Sequence, residues 1–288
     1  MLTKPANKID GLHEIAPDYD GILCDVWGVL HNGVAAWPGA VDALTQFRKQ
    51  GGTVVMITNS PRRKASVVDQ LHDIGVPDGV FDDVVTSGDV TRKLISEVES
   101  EVFHIGPDRD LHLFEGLGVK LVELEQAKSV VCTGLNDDRS ETPEDYENLL
   151  KQILEMELPF ICANPDIVVE FGDRLLWCAG AIARDYAEIG GDTHIAGKPH
   201  NPIYEAAISR LGKAAGKEIP ENRILAIGDG MPTDVAGAQD FGLDLLYVSA
   251  GIHAADYGDA EDPDIARLQE FLDRHGARPV AWMPRLKR

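Results

Sequence analysis

Short apolar runs alternate with stretches of helical amphipathic spacing along most of the chain. The apolar runs are mostly continuous, as expected for strands buried on both faces of a parallel sheet. Strands are predicted at 21–26, 53–58, 83–87, 101–106, 129–134, 160–164, 223–230 and 244–251. Helices are predicted near 39–50, 61–74, 88–99, 143–156, 178–189, 201–215, 233–241 and 264–275. The alternation predicts an α/β protein whose parallel sheet is covered by helices.

The predicted elements separate into an outer and a middle group. Residues 1–87 and 190–288 together have the pattern of one doubly wound parallel-sheet domain. Residues 88–189 carry their own strands and helices between turn-forming clusters such as "GPDRD". We therefore predict that the middle segment is a second α/β domain inserted into the first.

Composition and charge narrow the range of partners. The chain has 288 residues, 44% of them hydrophobic, and a formal net charge of -21. This acidic balance argues against binding to nucleic acid or to an anionic membrane surface, both of which recruit basic surfaces. No apolar run approaches the roughly 20 residues of a membrane span, and the first ten residues lack the apolar segment of a signal peptide.

The cysteines point to a reducing compartment. The four cysteines are widely spaced, form no C-x-x-C pair and lie in mostly apolar surroundings: Cys24, Cys132, Cys162 and Cys178. This usage is typical of reduced core residues, so we expect a cytoplasmic protein without disulfides.

Polar side chains follow several of the predicted strands. They are Asp25 after the first strand, 58–60 ("TNS") after the second, Lys198 in "GKPHNPIYEAA", and Asp229 and Asp234 in "GDGMPTD". Because ligands bind at the carboxyl ends of parallel strands, we expect these groups to meet at one edge of the sheet. Each residue taken alone could instead serve as a helix cap, a turn residue or a solvated loop charge.

The combination of groups favours phosphoryl transfer. Carboxylates gathered at one edge repel one another unless a hard cation lies among them, and Mg²⁺ binds one or two carboxylates together with water and phosphate oxygens. A carboxylate held against a phosphate can attack phosphorus and form an aspartyl-phosphate. Lysine, hydroxyl and amide groups can then offset charge on the phosphoryl oxygens.

Four segments in order carry a family resemblance. "DVWGVL", "VVMITNS", "GKP" and "GDGMPTD" resemble the four motifs of the haloacid dehalogenase superfamily of aspartate-nucleophile phosphohydrolases. The insertion resembles the C2 cap of its sugar-phosphatase branch (subclass IIA), which includes N-acetylglucosamine-phosphate and pyridoxal-phosphate phosphatases, and "ANPD" resembles that branch's "TNPD". The resemblance runs from about Tyr19 to Gly251 and implies a Rossmann-like core with a C2-type α/β cap domain.

The resemblance implies a set of metal ligands. Asp25 would be both the nucleophile and a Mg²⁺ ligand, and Asp229 would be a second ligand. Asp234 would orient a water ligand of the metal, and the backbone carbonyl of Trp27 would be a further ligand.

The resemblance also implies the phosphate contacts and the partners. Thr58 and Asn59 would hold the transferred phosphoryl group, and Lys198 would neutralise both that group and Asp25. The substrate would be a small phosphorylated metabolite. By analogy with capped relatives, two copies of the chain would pair through the cap as a homodimer.

Trp27 departs from the family pattern and leaves three functions open. The usual phosphatases have at this place a second Asp that protonates the leaving group and activates water. A phosphatase could use His31 or His200 instead, whereas an inactive or weakly active protein would only bind the phosphorylated metabolite. Dehalogenases of the superfamily, which cleave carbon–halogen bonds, also carry an aromatic residue here, but they do not need the acidic pair of "GDGMPTD".

Two further segments are candidates for substrate recognition. Arg62, Arg63 and Lys64 follow Pro61, where a predicted helix begins and its dipole disfavours cations. We interpret this basic run, Arg62 in particular, as a contact for a second anionic group of the ligand, although a solvated basic turn has the same sequence.

In the inserted domain, the specificity candidates lie around "ANPD". Asn164 and Asp166 are predicted to bind substrate, with Glu170 and Arg174 nearby. A cap that closes over a core contributes substrate contacts of this kind. Ordinary turn chemistry would also explain an Asn-Pro-Asp sequence.

Overall fold

The computed structural model describes residues 6–172 and 174–288. Its strands, numbered in chain order, are β1 Asn7–Lys8, β2 Gly21–Asp25, β3 Thr53–Thr58, β4 Asp83–Thr86, β5 Glu101–Ile105, β6 Lys120–Leu121, β7 Ser129–Cys132, β8 Phe160–Cys162, β9 Val168–Phe171, β10 Arg174–Trp177, β11 Thr193–Ile195, β12 Ile224–Gly228, β13 Asp244–Val248 and β14 Ala281–Met283.

The helices of the same residues are mostly of three turns. They are α1 Pro38–Lys49, α2 Lys64–Asp73, α3 Ser87–Glu97, α4 Glu147–Glu155, α5 Ala179–Glu188, α6 Asn201–Ala215, α7 Ala236–Asp240, α8 Ala254–Tyr257 and α9 Ile265–Arg274. Short 3₁₀ segments cover Leu12–Glu14, Ala16–Asp18, Asp108–Phe114, Leu124–Gln126, Pro143–Tyr146 and Glu221–Arg223, and a π-helical turn covers Met231–Val235.

The predicted strands and helices are present, with shorter bounds at several ends. The helix predicted from residue 61 begins at Lys64, because residues 61–63 form a bend. The helix predicted over 143–156 begins as a 3₁₀ turn, where Thr142 and Asp145 form a capping box. Six strands of the described residues were not predicted (β1, β6, β9, β10, β11 and β14); each has only two to four residues, too few to show a period.

The chain divides into two compact units. Unit 1 comprises the chain up to Thr58, Val68–Val85 and Tyr204–Arg288, and unit 2 comprises Asn59–Val67 and Thr86–Ile203. These bounds differ from the predicted insertion at 88–189, because 59–67, 86–87 and 190–203 belong to unit 2. The last of these segments includes β11, which pairs in parallel with β8 and so extends the sheet of unit 2.

Unit 1 is built on a sheet with the strand order β1-β14-β13-β12-β2-β3-β4. β2 pairs in parallel with both β3 and β12, and β12, β13 and β14 follow one another in parallel. Strands β2 and β12 are buried along their whole length, which explains their continuous apolar sequences. The chain runs outward from β2 in one direction and later from β12 in the other, so the strand order reverses between β2 and β12. Ligands bind at such a reversal in open α/β sheets.

Unit 2 has its own sheet, with the order β11-β8-β7-β5-β6 and parallel pairing throughout. An antiparallel pair, β9 with β10, adds to it. One face of the sheet packs against α4 and α5 through Ile153, Ile182 and Tyr186. The other face packs against α3 through Ile95. The mixed α/β architecture predicted from the sequence is therefore confirmed.

Many of the apolar side chains are buried in the hydrophobic cores of the two units. All four cysteines are buried and free of disulfides. Across residues 6–172 and 174–288, every helix is too short or too polar to traverse a bilayer.

Candidate active site

Three buried carboxylates meet at the reversal of strand order in unit 1. β2 ends at Asp25, and β12 ends one residue before Asp229, with Cys24 level with Ile227 between the two strands. Asp25, Asp229 and Asp234 are 6%, 5% and 5% exposed. They offer one oxygen each, and these three oxygens lie within 4.8 Å of one another.

The backbone around Asp229 is shaped to its carboxylate. The N–H of Ile252 donates a hydrogen bond to Asp229 Oδ2 at 2.8 Å. A Cβ atom at Gly28 or at Gly251 would collide with the same carboxylate. Gly28 also has a φ of +81°, which side-chain-bearing residues adopt at a cost. Both glycines therefore make room for Asp229.

Asp234 is held by the π-helical turn Met231–Val235, which replaces the start of the helix predicted over 233–241. The N–H of Gly230 donates to Asp234 Oδ2 at 3.1 Å. The Tyr204 hydroxyl lies 3.4 Å from the Asp234 carbonyl oxygen. Single π-helical turns occur frequently at functional sites, and this one brings Asp234 to the other two carboxylates.

The donor set suits a hard divalent cation. Three carboxylates with so little solvent repel one another, and buried charge of one sign is costly unless a counter-ion compensates it. Carboxylate oxygens are the ligands that Mg²⁺ and Ca²⁺ prefer. The cluster is thus a candidate metal centre built from the residues that the sequence singled out.

Trp27 follows directly on β2 and is partly buried. Its ring meets the His31 ring edge-on, with centroids 4.8 Å apart and planes at 67°. His31 is 1% exposed, and its Nδ1 accepts a hydrogen bond from the Gly33 N–H at 2.8 Å. Burial lowers the pKa of His31 to about 4, so the ring is neutral at pH 7.

The phosphate-binding residues predicted after β3 are both buried. Thr58 is the last residue of β3 and is 2% exposed in unit 1. Asn59, also 2% exposed, belongs to unit 2. The alternative that 58–60 ("TNS") simply cap a helix starting at Pro61 is not supported, because α2 begins only at Lys64.

The side-chain amide of Asn59 holds the backbone of Lys198 within unit 2. Asn59 Oδ1 accepts from the Lys198 N–H at 2.7 Å, and Asn59 Nδ2 donates to the Lys198 carbonyl oxygen at 3.3 Å. The Lys198 residue is 2% exposed. Asn59 therefore fixes where the chain at Lys198 runs.

The "ANPD" segment supports this pair. Asn59 Nδ2 donates to Asp166 Oδ1 at 2.8 Å, and Asn164 Oδ1 accepts from the Asp166 N–H at 3.1 Å. Asn164 is 8% exposed. The two residues predicted to bind substrate are thus linked through Asn59 to Lys198, a connection that the sequence did not reveal.

The basic run after Pro61 is placed differently from the prediction. Only Lys64 lies in α2, so Arg62 and Arg63 precede the helix and the dipole argument does not apply to them. Arg62 Nε lies 3.7 Å from Asp110 Oδ1, and Arg63 Nη1 lies 3.5 Å from Glu115 Oε2. These ion pairs connect the run to the rest of unit 2.

Some residues around the carboxylates were missed in the sequence. The loop after β13 supplies Gly251 and the Ile252 N–H to Asp229, and His253 Nε2 accepts from the Met231 N–H at 3.1 Å. The signal was present in "SAGIH", a small-residue turn at the end of a predicted strand. It has no side-chain chemistry of its own and so did not stand out.

Comparison with known proteins places these features in a family. The family model described as haloacid dehalogenase-like hydrolase matches residues 22–120, and a second HAD-hydrolase-like model matches residues 195–271. A crystal structure of a haloacid dehalogenase-like hydrolase from Brucella suis 1330 is 52% identical, with a TM-score of 0.88, over 96% of this chain and 99% of that chain. The chain belongs to the haloacid dehalogenase-like hydrolase family.

Two curated relatives of this haloacid dehalogenase-like hydrolase are named as a phosphatase and as a 5'-nucleotidase. D-glycerol 3-phosphate phosphatase of Mycobacterium tuberculosis is 26% identical over 85% of this chain and 67% of its own length. 5'-nucleotidase YutF of Bacillus subtilis is 27% identical over 88% of this chain and 98% of its own length. The sequence-based prediction of a haloacid dehalogenase superfamily member of the capped branch is confirmed. The prediction of a hydrolase of this class is confirmed as well.

Proposed function

We propose that this haloacid dehalogenase-like hydrolase is a Mg²⁺-dependent phosphatase of a small phosphorylated metabolite, with Asp25 as nucleophile. The observation that carries the proposal is the convergence of Asp25, Asp229 and Asp234 within 4.8 Å at the reversal of strand order. The names of the curated relatives support a phosphorylated small molecule as the substrate. Unit 1 would be the catalytic core, and unit 2 would contain the cap.

The residues present fit a bound Mg²⁺ ion. Asp25, Asp229 and Asp234 would hold it, together with the Trp27 carbonyl that the family resemblance assigns. The fit rests on the three buried carboxylate oxygens and on the close backbone at Gly28 and Gly251. When bound, the ion would supply positive charge that offsets the negative charge on the phosphoryl oxygens.

The chain's own residues would carry the transfer. A carboxylate oxygen of Asp25 attacks phosphorus as the bond to the leaving-group oxygen breaks, giving an aspartyl-phosphate. The family resemblance assigns to the Thr58 hydroxyl a hydrogen bond to a phosphoryl oxygen, and to the Lys198 ammonium the neutralisation of that group. Water then attacks phosphorus, and the Asp25 carboxylate is released.

Asn59 and Asp166 would act through Lys198 rather than by touching phosphate with their side chains. All three hydrogen bonds described for the Asn59 amide are made to Lys198 and Asp166. Asp166 accepts from Nδ2 and so fixes which way the amide faces. We assign both side chains a positioning role, with the Asn59 backbone left as the phosphate contact.

The main role of the basic run would be to hold its own loop in place. Recognition of a second anionic group of the ligand would be a secondary role. Arg62 and Arg63 are paired with Asp110 and Glu115, and the Arg63 N–H lies 3.3 Å from His112 Nε2. A second anionic group of a ligand would have to compete with these carboxylates. Charge reversal at Arg63 that leaves the substrate KM unchanged would remove the recognition role.

Trp27 favours a second candidate function. Without the second Asp of the family pattern, a general acid and base worth about 10²–10⁴ in rate is missing. The metal cluster and the Thr58 position do not depend on that side chain. A protein that binds a phosphorylated metabolite and turns it over very slowly would have this combination.

A phosphate-release screen with Mg²⁺ separates the two candidates. The wild-type chain and Asp25→Asn are assayed in parallel over phosphorylated metabolites, with binding followed by calorimetry. Release by the wild type that Asp25→Asn abolishes is expected of the phosphatase. Binding without release favours the binding protein, and release unaffected by Asp25→Asn would contradict the proposal.

A further inference from the structure

Position 27 raises the question of how the leaving group departs. An alkoxide leaving group is about as basic as hydroxide, and it needs a proton as its bond to phosphorus breaks. Carboxylate, phosphate and phenolate groups have conjugate acids with pKa values of about 4, 6 and 10 and depart far more readily as anions. Trp27 offers no carboxyl group for that proton.

His31, the neighbouring titratable side chain, is poorly placed to substitute. Its Nδ1 already accepts from the Gly33 N–H at 2.8 Å, and the residue is 1% exposed. The ring packs edge-on against Trp27 with a centroid distance of 4.8 Å. To reach a leaving group, the imidazole would have to abandon both contacts and leave the core.

Among the residues of unit 1 that the structure describes, further titratable rings near the acidic cluster are also engaged. His253 Nε2 accepts from the Met231 N–H at 3.1 Å. The Tyr257 hydroxyl donates to the Ser249 carbonyl oxygen at 2.6 Å and lies 3.1 Å from the Tyr247 hydroxyl. Both tyrosines are 0% exposed. These side chains support the loops around Asp229 and do not present a proton to a substrate.

From these positions we infer that the enzyme's substrates are phosphoryl compounds whose leaving group departs as a stable anion: acyl phosphates, phosphoanhydrides, or aryl and enol phosphates. This inference rests on the proposed function and departs from alkyl monoesters such as the glycerol phosphate named for one relative. In the first step the Asp25 oxygen bonds to phosphorus, the bond from phosphorus to the leaving-group oxygen breaks, and the electron pair leaves with that oxygen. No proton moves.

The second step regenerates Asp25. The oxygen of water bonds to phosphorus, the bond from phosphorus to Asp25 breaks, and its electron pair returns to the carboxylate. The proton lost by water passes to the solvent. Here the missing base would slow hydrolysis for every substrate equally, so substrate preference reports on the first step alone.

The test compares leaving groups on the wild-type protein with Mg²⁺. The substrates are phenyl phosphates of graded phenol acidity, acetyl phosphate, pyrophosphate and glycerol 3-phosphate, and kcat/KM is measured for each. We expect a steep decline with leaving-group basicity, with glycerol 3-phosphate at least about 10²-fold below the activated substrates. A comparison of acetyl phosphate with pyrophosphate shows whether the enzyme prefers acyl phosphates or phosphoanhydrides as substrates.

Matched variants test the cause of the preference. Trp27→Asp is expected to raise glycerol 3-phosphate cleavage selectively, whereas Trp27→Asn, of the same size without the acid, is not. An equal rise in both variants would overturn the inference, because space and not a proton would then be limiting. The wild-type series remains decisive even if either variant does not fold.

Two further results have separate meanings. If the wild type cleaves glycerol 3-phosphate as fast as the aryl esters, the inference fails while the proposed phosphatase stands; loss of that activity in His200→Gln would identify the proton donor. If no substrate is cleaved faster than by Asp25→Asn, the proposed function itself fails.

Discussion

The side-chain amide of Asn59 pairs with both the N–H and the carbonyl oxygen of Lys198, at 2.7 and 3.3 Å. Two neighbouring hydrogen bonds restrict both the position and the rotation of that peptide segment. Asp166 accepts the other Nδ2 contact of Asn59 at 2.8 Å. The position of Lys198 therefore depends on side chains far from it in sequence.

Asp166→Ala is expected to lower kcat about tenfold with less effect on KM, because Lys198 loses its fixed position rather than its charge. In a Lys198→Ala background the same substitution should have almost no further effect, since residues that act through one another are not additive. Asp166→Asn should retain most activity. Asp192→Ala, an exposed carboxylate of the same unit, is the control. Equal losses in both backgrounds would show that Asp166 does not act through Lys198.

Divalent ions are expected to stabilise the protein against heat. A ligand that binds only the folded state at 100 times its Kd adds about 2.7 kcal/mol, which corresponds to several degrees in Tm. Asp229→Asn should abolish most of this gain and should be no less stable than the wild type in EDTA, because carboxylate repulsion is reduced. Asp78→Asn, whose side chain is 98% exposed, should behave as the wild type. A Tm gain retained by Asp229→Asn would place the ion elsewhere.

Gly251→Ala is expected to weaken Mg²⁺ binding by about 10- to 100-fold, as substitutions that displace a metal ligand do. The new Cβ would collide with the Asp229 carboxylate. Gly134→Ala is the control, because its Cβ would meet only Pro107 Cδ at 3.8 Å. Calorimetric titration of both variants measures the effect. Unchanged Mg²⁺ affinity in Gly251→Ala would mean that metal binding does not depend on the present position of the Asp229 carboxylate.

His104 should make stability depend on pH. Burial lowers its pKa from 6.5 to about 4, while its Nε2 lies 2.9 Å from Thr133 Oγ1. Between these two values the unfolded chain binds more protons than the folded one. The contribution of neutral His104 to the free energy of unfolding is therefore complete above pH 6.5 and is lost as pH falls towards 4.

Urea unfolding at pH 7.5 and pH 5 measures this contribution. The wild type should lose about 1–2 kcal/mol more than His104→Gln between the two pH values. His194→Gln, at an exposed position of the same unit, should lose as much as the wild type. Identical losses for the wild type and His104→Gln would contradict the assignment.

Much of the site could be predicted because it depends on strand ends. Asp25 and Asp229 follow continuous apolar runs, and parallel strands bring such residues to one edge. The sequence could not show that 59–67 belongs to unit 2, since this depends on contacts with residues such as Asp110 and Asp166. Nor could it show the fit of Gly251 around Asp229, which is a matter of backbone packing between distant segments.

Identification of the phosphorylated residue tests the central claim most directly. The wild-type protein is mixed with Mg²⁺ and an aryl or acyl phosphate, quenched in acid and mapped by peptide mass spectrometry. The proposed mechanism predicts one phosphoryl group, on Asp25, which is absent from Asp25→Asn and from samples kept in EDTA. Substrate turnover with no label on Asp25, or with label on another residue, would contradict it.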